Sequence, residues 1–146
     1  MKLKIEDALT VLSALGFRGR DVYLAELIPA VEMAWADDQV QPNERAMLEA
    51  YCEDLVERLN KQSGAGFFSV ARAKALLEVL TQRRLRPAER RAALCALQAW
   101  SGLMLSGEQM RKRMLEWAEA VAAVDGSPVW DVRELVWLQE MKQKLE

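Results

Sequence analysis

The chain has 146 residues, of which 20 are basic, 22 are acidic and none is histidine, so its formal net charge is −2 at pH 7. This length is typical of one domain, and an apolar share of 51% is enough to build one core. Without histidine there is no imidazole general base, no Ser-His or Cys-His pair and no histidine-ligated zinc. No apolar run is long enough for a membrane-spanning helix, and acidic residues follow closely on Met1, which together predict a cytoplasmic protein.

Helical periodicity and helix-start signals predict a single-domain, all-α bundle of about seven helices over residues 1–146, with no strand. Pro42 and Pro87 each stand at a favoured first helical position, and Asp21 is a predicted N-cap. Pro29 falls inside the second helix and should kink or split it, because its ring displaces a backbone hydrogen bond. The predicted helices span residues 5–15, 21–36, 42–60, 69–82, 87–105, 107–124 and 131–146.

The apolar faces of these helices predict how they pack. The fifth helix is apolar on nearly all sides over residues 92–105, so we expect it at the centre of the domain. Cys52 and Cys95 lie in helical segments and are interpreted as small core residues in a reducing compartment. The core-facing stripe predicted for the third helix consists of Ala46, Met47, Ala50, Tyr51, Leu55 and Leu59.

Charge is unevenly distributed along the sequence. Residues 1–60 carry 12 acids and 6 bases, residues 61–113 carry 3 acids and 11 bases, and residues 114–146 carry 7 acids and 3 bases. An acidic start and an acidic end therefore flank a basic middle. This pattern is typical of an interaction surface, or of segments that neutralise one another in the fold.

One local pattern occurs twice in the chain. Its first copy is Met-Ala-Trp-Ala-Asp-Asp-Gln-Val over residues 33–40, followed by Glu44, and its second is Ala-Ala-Val-Asp-Gly over residues 122–126, followed by Glu134. In each copy an aspartate comes at the end of an apolar helix, and a glutamate lies in the first turn of the next helix. Because such duplication marks repeated units, it predicts two halves related by a pseudo-two-fold axis.

Both phrases resemble the signature of the tellurite-resistance TerB-like family, which reads Ala-x-Ala-Asp-Gly-x-apolar, followed by a glutamate that opens the next helix. The same fold occurs in the N-terminal region of the DjlA co-chaperones. Asp38 stands where the family has glycine, and the second loop is two residues longer than the first. The resemblance implies an all-helical fold whose acidic loops gather at one end, and a cation-binding assembly module linked to tellurite resistance or stress response.

The acidic loops have two alternative interpretations. If the loops meet, their oxygen-only donor set, with no histidine or cysteine, suits a hard divalent cation such as Ca²⁺ or Mg²⁺. Alternatively, the aspartates cap loop amides, the glutamates complement helix N-termini, and no cofactor is bound. In the first interpretation the metal ligands are Asp37, Asp38, Glu44, Asp125, Asp131 and Glu134.

The basic middle of the chain contains a second candidate site. Five arginines fall within nine residues around Pro87. Such a cluster suits phosphates, an acidic protein partner or anionic lipid headgroups, or it is a solvated helix junction that pairs with the acidic segments. Nucleic acid is disfavoured because the net charge is negative and no aromatic residues alternate with the arginines. The predicted partner contacts are Arg83, Arg84, Arg86, Arg90 and Trp130.

These features together predict a non-enzymatic stress-response module that binds a divalent cation and acts as a protein-interaction adaptor. The alternative is a metal-free interaction module that works through the arginine-rich surface, with a protein partner or peripheral membrane association. A small hydrolase with a carboxylate pair is the third hypothesis. The sequence contains no nucleophile motif or phosphate-binding loop to support it, and it indicates no small-molecule substrate.

Overall fold

Six α-helices and one 3₁₀ helix form the part of the chain that the computed structural model describes, namely residues 4–35, 39–103 and 107–123 with positions 139 and 143. The 3₁₀ helix, Gly19–Leu27, leads directly into the second α-helix. The all-α prediction is confirmed, with no strand in these ranges, and the predicted seventh helix lies almost entirely outside them. The α-helices are α1 (Ile5–Ala14), α2 (Ile28–Ala34), α3 (Pro42–Ser63), α4 (Val70–Gln82), α5 (Pro87–Leu103) and α6 (Gly107–Ala123).

Local sequence signals set several helix ends. The side chain of Ser69 caps α4 by accepting a hydrogen bond from the N–H of Arg72 at 3.0 Å. Helix α3 ends before Gly64, whose φ of +70° is the left-handed conformation that glycine adopts most readily. The loop predicted from residue 61 onwards therefore begins only after Ser63, because the helix continues to its glycine cap.

The region around Pro29 differs from the predicted second helix. Pro29 lies in the first turn of α2, where its missing N–H removes no helical hydrogen bond, so the predicted split is confirmed. The first half is a 3₁₀ helix and not an α-helix. Asp21 lies in its first turn and does not act as the predicted N-cap. Its carboxylate pairs instead with the guanidinium of Arg72 at 2.8 Å.

Helix α2 occupies the centre of the described bundle. All seven of its residues are buried, including Glu32, and it contacts α3, α4, α5 and α6. Helix α5, which was expected in this place, packs mainly against α1 and α6. None of the described helices combines the length and apolar character that crossing a bilayer requires.

The buried face of α3 is rotated relative to the predicted stripe. Ala46 and Ala50 are exposed, because a small alanine fits either face and indicates little about direction. Cys52 is buried as predicted, and burial raises the pKa of its thiol to about 12, which suits a packing role. Its neighbours on the buried face of α3 are Glu44, Leu48, Tyr51, Leu55 and Val56.

Substitution of Gly107 tests the junction between α5 and α6. A Cβ at this position would overlap the carbonyl of Ser101, so Gly107→Ala is expected to lower the free energy of unfolding by about 2 kcal/mol in urea denaturation. The guanidinium of Arg111 donates to the Ser101 hydroxyl at 3.0 Å and holds the two helices at this distance. Gly102→Ala is the matched control, since a Cβ there meets nothing within 4 Å. Equal stability of the two variants would contradict the close approach.

Candidate functional site

Only one of the six predicted carboxylate ligands lies in the described part of the chain. Glu44 is buried in the first turn of α3, and its Oε1 accepts the N–H of Gln41 at 2.9 Å, as in a capping box. Within the described ranges, no group of three or more acidic or cysteine side chains is placed to hold a metal ion. The residues that lie outside these ranges are Asp37, Asp38, Asp125, Asp131 and Glu134, together with Trp130.

At the α4–α5 junction, two of the predicted partner-contact arginines bind an acid of this chain. Arg83 donates to both carboxylate oxygens of Glu89, each at 3.2 Å, and the N–H of Arg86 donates to Oε1 at 3.0 Å. The hydrogen bond from Arg83, followed by the backbone one from Arg86, lowers the pKa of Glu89 to about 2. Both arginines remain exposed on their outer sides, at 61% and 79%.

The other two arginines, Arg84 and Arg90, are half-buried and act on an acid inside the bundle. This acid is Glu32 of α2, whose Oε2 is buried without a hydrogen-bond partner in the described residues. Burial raises the pKa of Glu32 to about 7, and the charges of Arg90 and Arg84 oppose the rise. The four arginines that were predicted as partner contacts therefore all interact with acids of the same chain.

A different part of the surface carries two neighbouring grooves, which we call the groove pair. The α1 groove has a volume of about 510 Å³ and the α3 groove about 420 Å³, and both are lined by Arg20 and Tyr23. The α1 groove lies between α1, the 3₁₀ helix and α5, whereas the α3 groove lies beside the end of α3 and the linker to α4. The remaining lining residues are Leu9, Ser13, Phe17, Arg18, Gly19, Val22 and Trp100 in the α1 groove, and Leu59, Gln62, Ser63, Phe67 and Phe68 in the α3 groove.

Aromatic rings form the walls of the groove pair. Tyr23 stands edge-on to Phe68 with ring centroids 5.9 Å apart, and edge-on to Trp100 at 5.4 Å. This near-perpendicular arrangement is one that aromatic pairs favour. Phe67 is 58% exposed, and the guanidinium of Arg20 lies over its ring, 4.8 Å from the centroid. A ligand in either groove would therefore meet ring surface beside a positive charge.

Helix α3 holds the linker that carries Phe67 and Phe68. The side-chain amide of Asn60 donates to the carbonyl of Phe68 and accepts from its N–H, both at 3.0 Å. The hydroxyl of Ser63 donates to the carbonyl of Ala65 at 2.9 Å. Because these bonds fix the linker backbone, the rings are positioned before a ligand arrives, which lowers the entropic cost of binding.

The groove pair is positively charged. Arg18 and Arg20 are exposed, and neither forms an ion pair with any described residue. The acid next to them in sequence, Asp21, is already paired with Arg72 at 2.8 Å. None of the described lining residues is acidic. The arrangement therefore suits a ligand that has both apolar and anionic groups.

The charge clusters and repeated motif of the sequence do not indicate these residues, although two loops carry a signal for them. Residues 16–20 read Gly-Phe-Arg-Gly-Arg, and residues 64–68 read Gly-Ala-Gly-Phe-Phe. Gly16 and Gly19 have φ values of +104° and +56°, which turn the chain from α1 into the 3₁₀ helix. Phe17 in the first loop is buried in the core, whereas Phe67 in the second loop is 58% exposed, so the signal for a binding surface lay in Phe67 and in the two loop arginines, Arg18 and Arg20.

The chain matches no protein-family model, no curated protein and no solved structure. The TerB-like resemblance therefore stays a prediction that rests on the two acidic phrases of the sequence. The functional interpretation of the groove pair rests on its own residues and their geometry.

Proposed function

We propose that this chain is a non-enzymatic helical adaptor that binds a segment of a partner protein through the groove pair. The observation that supports this proposal most strongly is the shared wall of Arg20 and Tyr23, which joins two ring-lined grooves into one surface. Aromatic and arginine side chains supply much of the binding energy at protein interfaces. An exposed surface that combines them is therefore suited to a partner.

The chemistry of the lining residues supports binding and not catalysis. The described residues of the groove pair include the hydroxyls of Ser13, Ser63 and Tyr23 but no carboxylate, thiol or amine. A hydroxyl needs an adjacent base to act as a nucleophile, and arginine stays protonated, so these residues hold no acid–base pair. In the same proposal the chain is a TerB-like module of a tellurite or stress response, supported by the acidic phrases and the all-helical fold.

Site-specific photo-crosslinking in cells that express the chain tests the adaptor proposal. A photoreactive phenylalanine at position 67 should give a discrete cross-linked protein. The same group at position 79 is the matched control, because Val79 is equally exposed at 58% but lies on α4 outside both grooves. Equal cross-linking at the two positions, or none at position 67, would contradict the proposal.

Charge reversal in the same experiment separates the two arginine surfaces. Arg18→Glu with Arg20→Glu should abolish the cross-link at position 67, whereas Arg83→Glu with Arg86→Glu should leave it unchanged. The second pair is bound to Glu89 and does not line either groove. The opposite result would assign partner binding to the arginine cluster at the α4–α5 junction.

A divalent-cation site at the acidic loops is a second proposal, supported by the oxygen-only donor set and by the burial of Glu44 beside the first loop. Thermal unfolding in EDTA, and then with Ca²⁺ or Mg²⁺, tests it. A cation at about 100 times its dissociation constant should stabilise the fold by about 2.7 kcal/mol, which raises the melting temperature by several degrees. The rise should vanish in Asp37→Asn with Asp125→Asn. Unchanged melting of the wild type would instead support the capping interpretation.

A further inference from the structure

We infer that the groove pair takes an acidic peptide segment with two bulky apolar side chains, one in each groove. This inference rests on the proposed function and names the chemistry of the partner segment. Three features of the grooves support it: their size, their charge and their common wall.

The size and lining of the grooves indicate bulky apolar anchors. Volumes of about 510 and 420 Å³ lie within the range of small-ligand pockets, and each has room for a phenylalanine or leucine side chain with adjoining backbone. Phe17, Val22 and Trp100 line the α1 groove, and Leu59, Phe67 and Phe68 line the α3 groove. Because Arg20 and Tyr23 belong to both grooves, two anchors would sit on either side of one wall, as side chains of a single segment do.

The charge of the groove pair indicates an acidic segment. Arg18 donates through Nε to the Ser13 carbonyl at 3.2 Å, which leaves its terminal guanidinium nitrogens for a ligand. Arg20 is held over Phe67, so a carboxylate that pairs with it would lie beside the α3 groove. With Asp21 bound to Arg72, no described acid neutralises the two cations. Aspartate or glutamate between or beside the anchors would supply the complementary charge.

A peptide fits these features better than a membrane surface. Anionic lipid attracts each nearby arginine with only about 1 kcal/mol, and the groove pair offers two such residues on a chain of net charge −2. The rings line concave walls, which enclose side chains, whereas insertion into a bilayer needs rings that project together from one convex face. Membrane binding is therefore the alternative outcome of the test.

Fluorescence anisotropy with designed peptides measures the inferred chemistry directly. The probe is a fluorescein-labelled aspartate-rich peptide with two phenylalanines, made as a series with increasing separation between them. One control series replaces the aspartates by lysine, and a second replaces the phenylalanines by alanine. The tightest acidic phenylalanine peptide should bind about tenfold more tightly than either matched control, and its affinity should fall as salt is added.

Variants of the chain locate the binding. Arg18→Glu with Arg20→Glu, and separately Phe67→Ala, should each weaken binding of the acidic probe about tenfold. The control for charge is Arg91→Glu with Lys112→Glu, which makes the same change at exposed positions of α5 and α6 and should have no effect. Asn60→Ala removes the bonds to Phe68 and should weaken binding while the peptide preference stays the same. Circular dichroism of each variant shows that the helical fold is retained.

Three results would overturn the inference: equal affinity for the acidic, lysine and alanine peptides; binding that the Arg18 and Arg20 reversals leave unchanged; or binding to phosphatidylserine vesicles without binding to the peptides. The two experiments distinguish a wrong ligand chemistry from a wrong proposed function. A protein cross-linked at position 67, combined with no preference for the acidic probe, would leave the adaptor proposal standing and refute only the ligand chemistry.

Discussion

Replacing Glu26 by alanine is expected to lower the free energy of unfolding by about 3–5 kcal/mol. Glu26 is buried in the 3₁₀ helix, where its Oε2 accepts the hydroxyl of Tyr51 at 2.7 Å. The same oxygen lies 3.7 Å from a guanidinium nitrogen of Arg58, and Oε1 lies 3.6 Å from one of Arg113. Alanine would leave two guanidinium groups, each only 24% exposed, without their shared acid.

The contacts of Glu26 connect the 3₁₀ helix with α3 and α6. We therefore expect their loss to destabilise the whole bundle. Arg58 and Tyr51 belong to α3 and Arg113 to α6, and the ring of Tyr51 stacks on Trp117 of α6 with centroids 4.6 Å apart. Burial raises the pKa of Glu26 above its usual range, while the Tyr51 hydroxyl and the two arginines oppose that rise. The acid is thus kept in the core by specific partners.

Urea unfolding of Glu26→Ala measures this effect, with Glu53→Ala as the matched control. Glu53 pairs with Lys74 at 3.2 Å, but these side chains are 60% and 39% exposed, so its removal should cost less than about 1 kcal/mol. Replacing Glu26, Arg58 and Arg113 together by leucine should restore most of the loss, because no unpaired charge then remains inside the bundle; Asp54, which loses its ion pair with Arg58, is 47% exposed to solvent. A stability of Glu26→Ala close to that of the Glu53 control would mean that the network does not hold the helices together.

Replacing Glu32 by glutamine is expected to stabilise the chain by about 3 kcal/mol at about pH 8 and to have little effect at about pH 4. Burial raises the pKa of Glu32 from 4.5 to about 7. The folded carboxyl holds its proton more tightly than the unfolded one. The contribution of Glu32 to stability is therefore fully present below pH 4.5, and it is lost as the pH rises through 7 and the buried carboxyl ionises. Glutamine does not ionise, so the variant avoids this loss.

Glu89 provides a control, because its pKa is shifted in the opposite direction to that of Glu32. Its pKa is lowered to about 2 by Arg83 and by the N–H of Arg86, so its contribution is present above pH 4.5 and is lost as the pH falls towards 2. Glu89→Gln should therefore destabilise the chain at neutral pH, where Glu32→Gln stabilises it. Urea unfolding of both variants across this pH range provides the comparison. A difference between wild type and Glu32→Gln that does not vary with pH would contradict the burial of an ionisable carboxyl.

The sequence was informative wherever a local signal determines the structure. Pro42 and Pro87 predicted the starts of α3 and α5, because proline acts through the backbone of the same turn. The 3₁₀ helix and the rotation of α3 depend on packing between elements, which helical periodicity does not contain. An acid such as Glu26 or Glu32 would be assigned to the surface by any polarity pattern, and only tertiary contacts show that it is buried.

The groove pair could not be predicted from the sequence, because it too depends on tertiary contacts. Arg20 and Phe67 are far apart in the sequence, and they meet because α3 returns its C-terminal end to the 3₁₀ helix. The arginine run at residues 83–91 predicted a partner surface, yet Arg83 and Arg86 bind Glu89, and the charges of Arg84 and Arg90 act on Glu32. A high density of arginine in the sequence therefore indicated residues that interact with acids of the chain. It did not indicate Arg18 and Arg20, which line the groove pair.

A charge-swap experiment tests the central proposal most directly. The affinities of the aspartate and lysine forms of the phenylalanine peptide are measured for the wild type and for Arg18→Glu with Arg20→Glu. If the two arginines contact the acidic side chains, the wild type should prefer the aspartate peptide about tenfold, and the variant should prefer the lysine peptide. A variant that keeps the wild-type preference would show that the acidic segment does not bind at the groove pair.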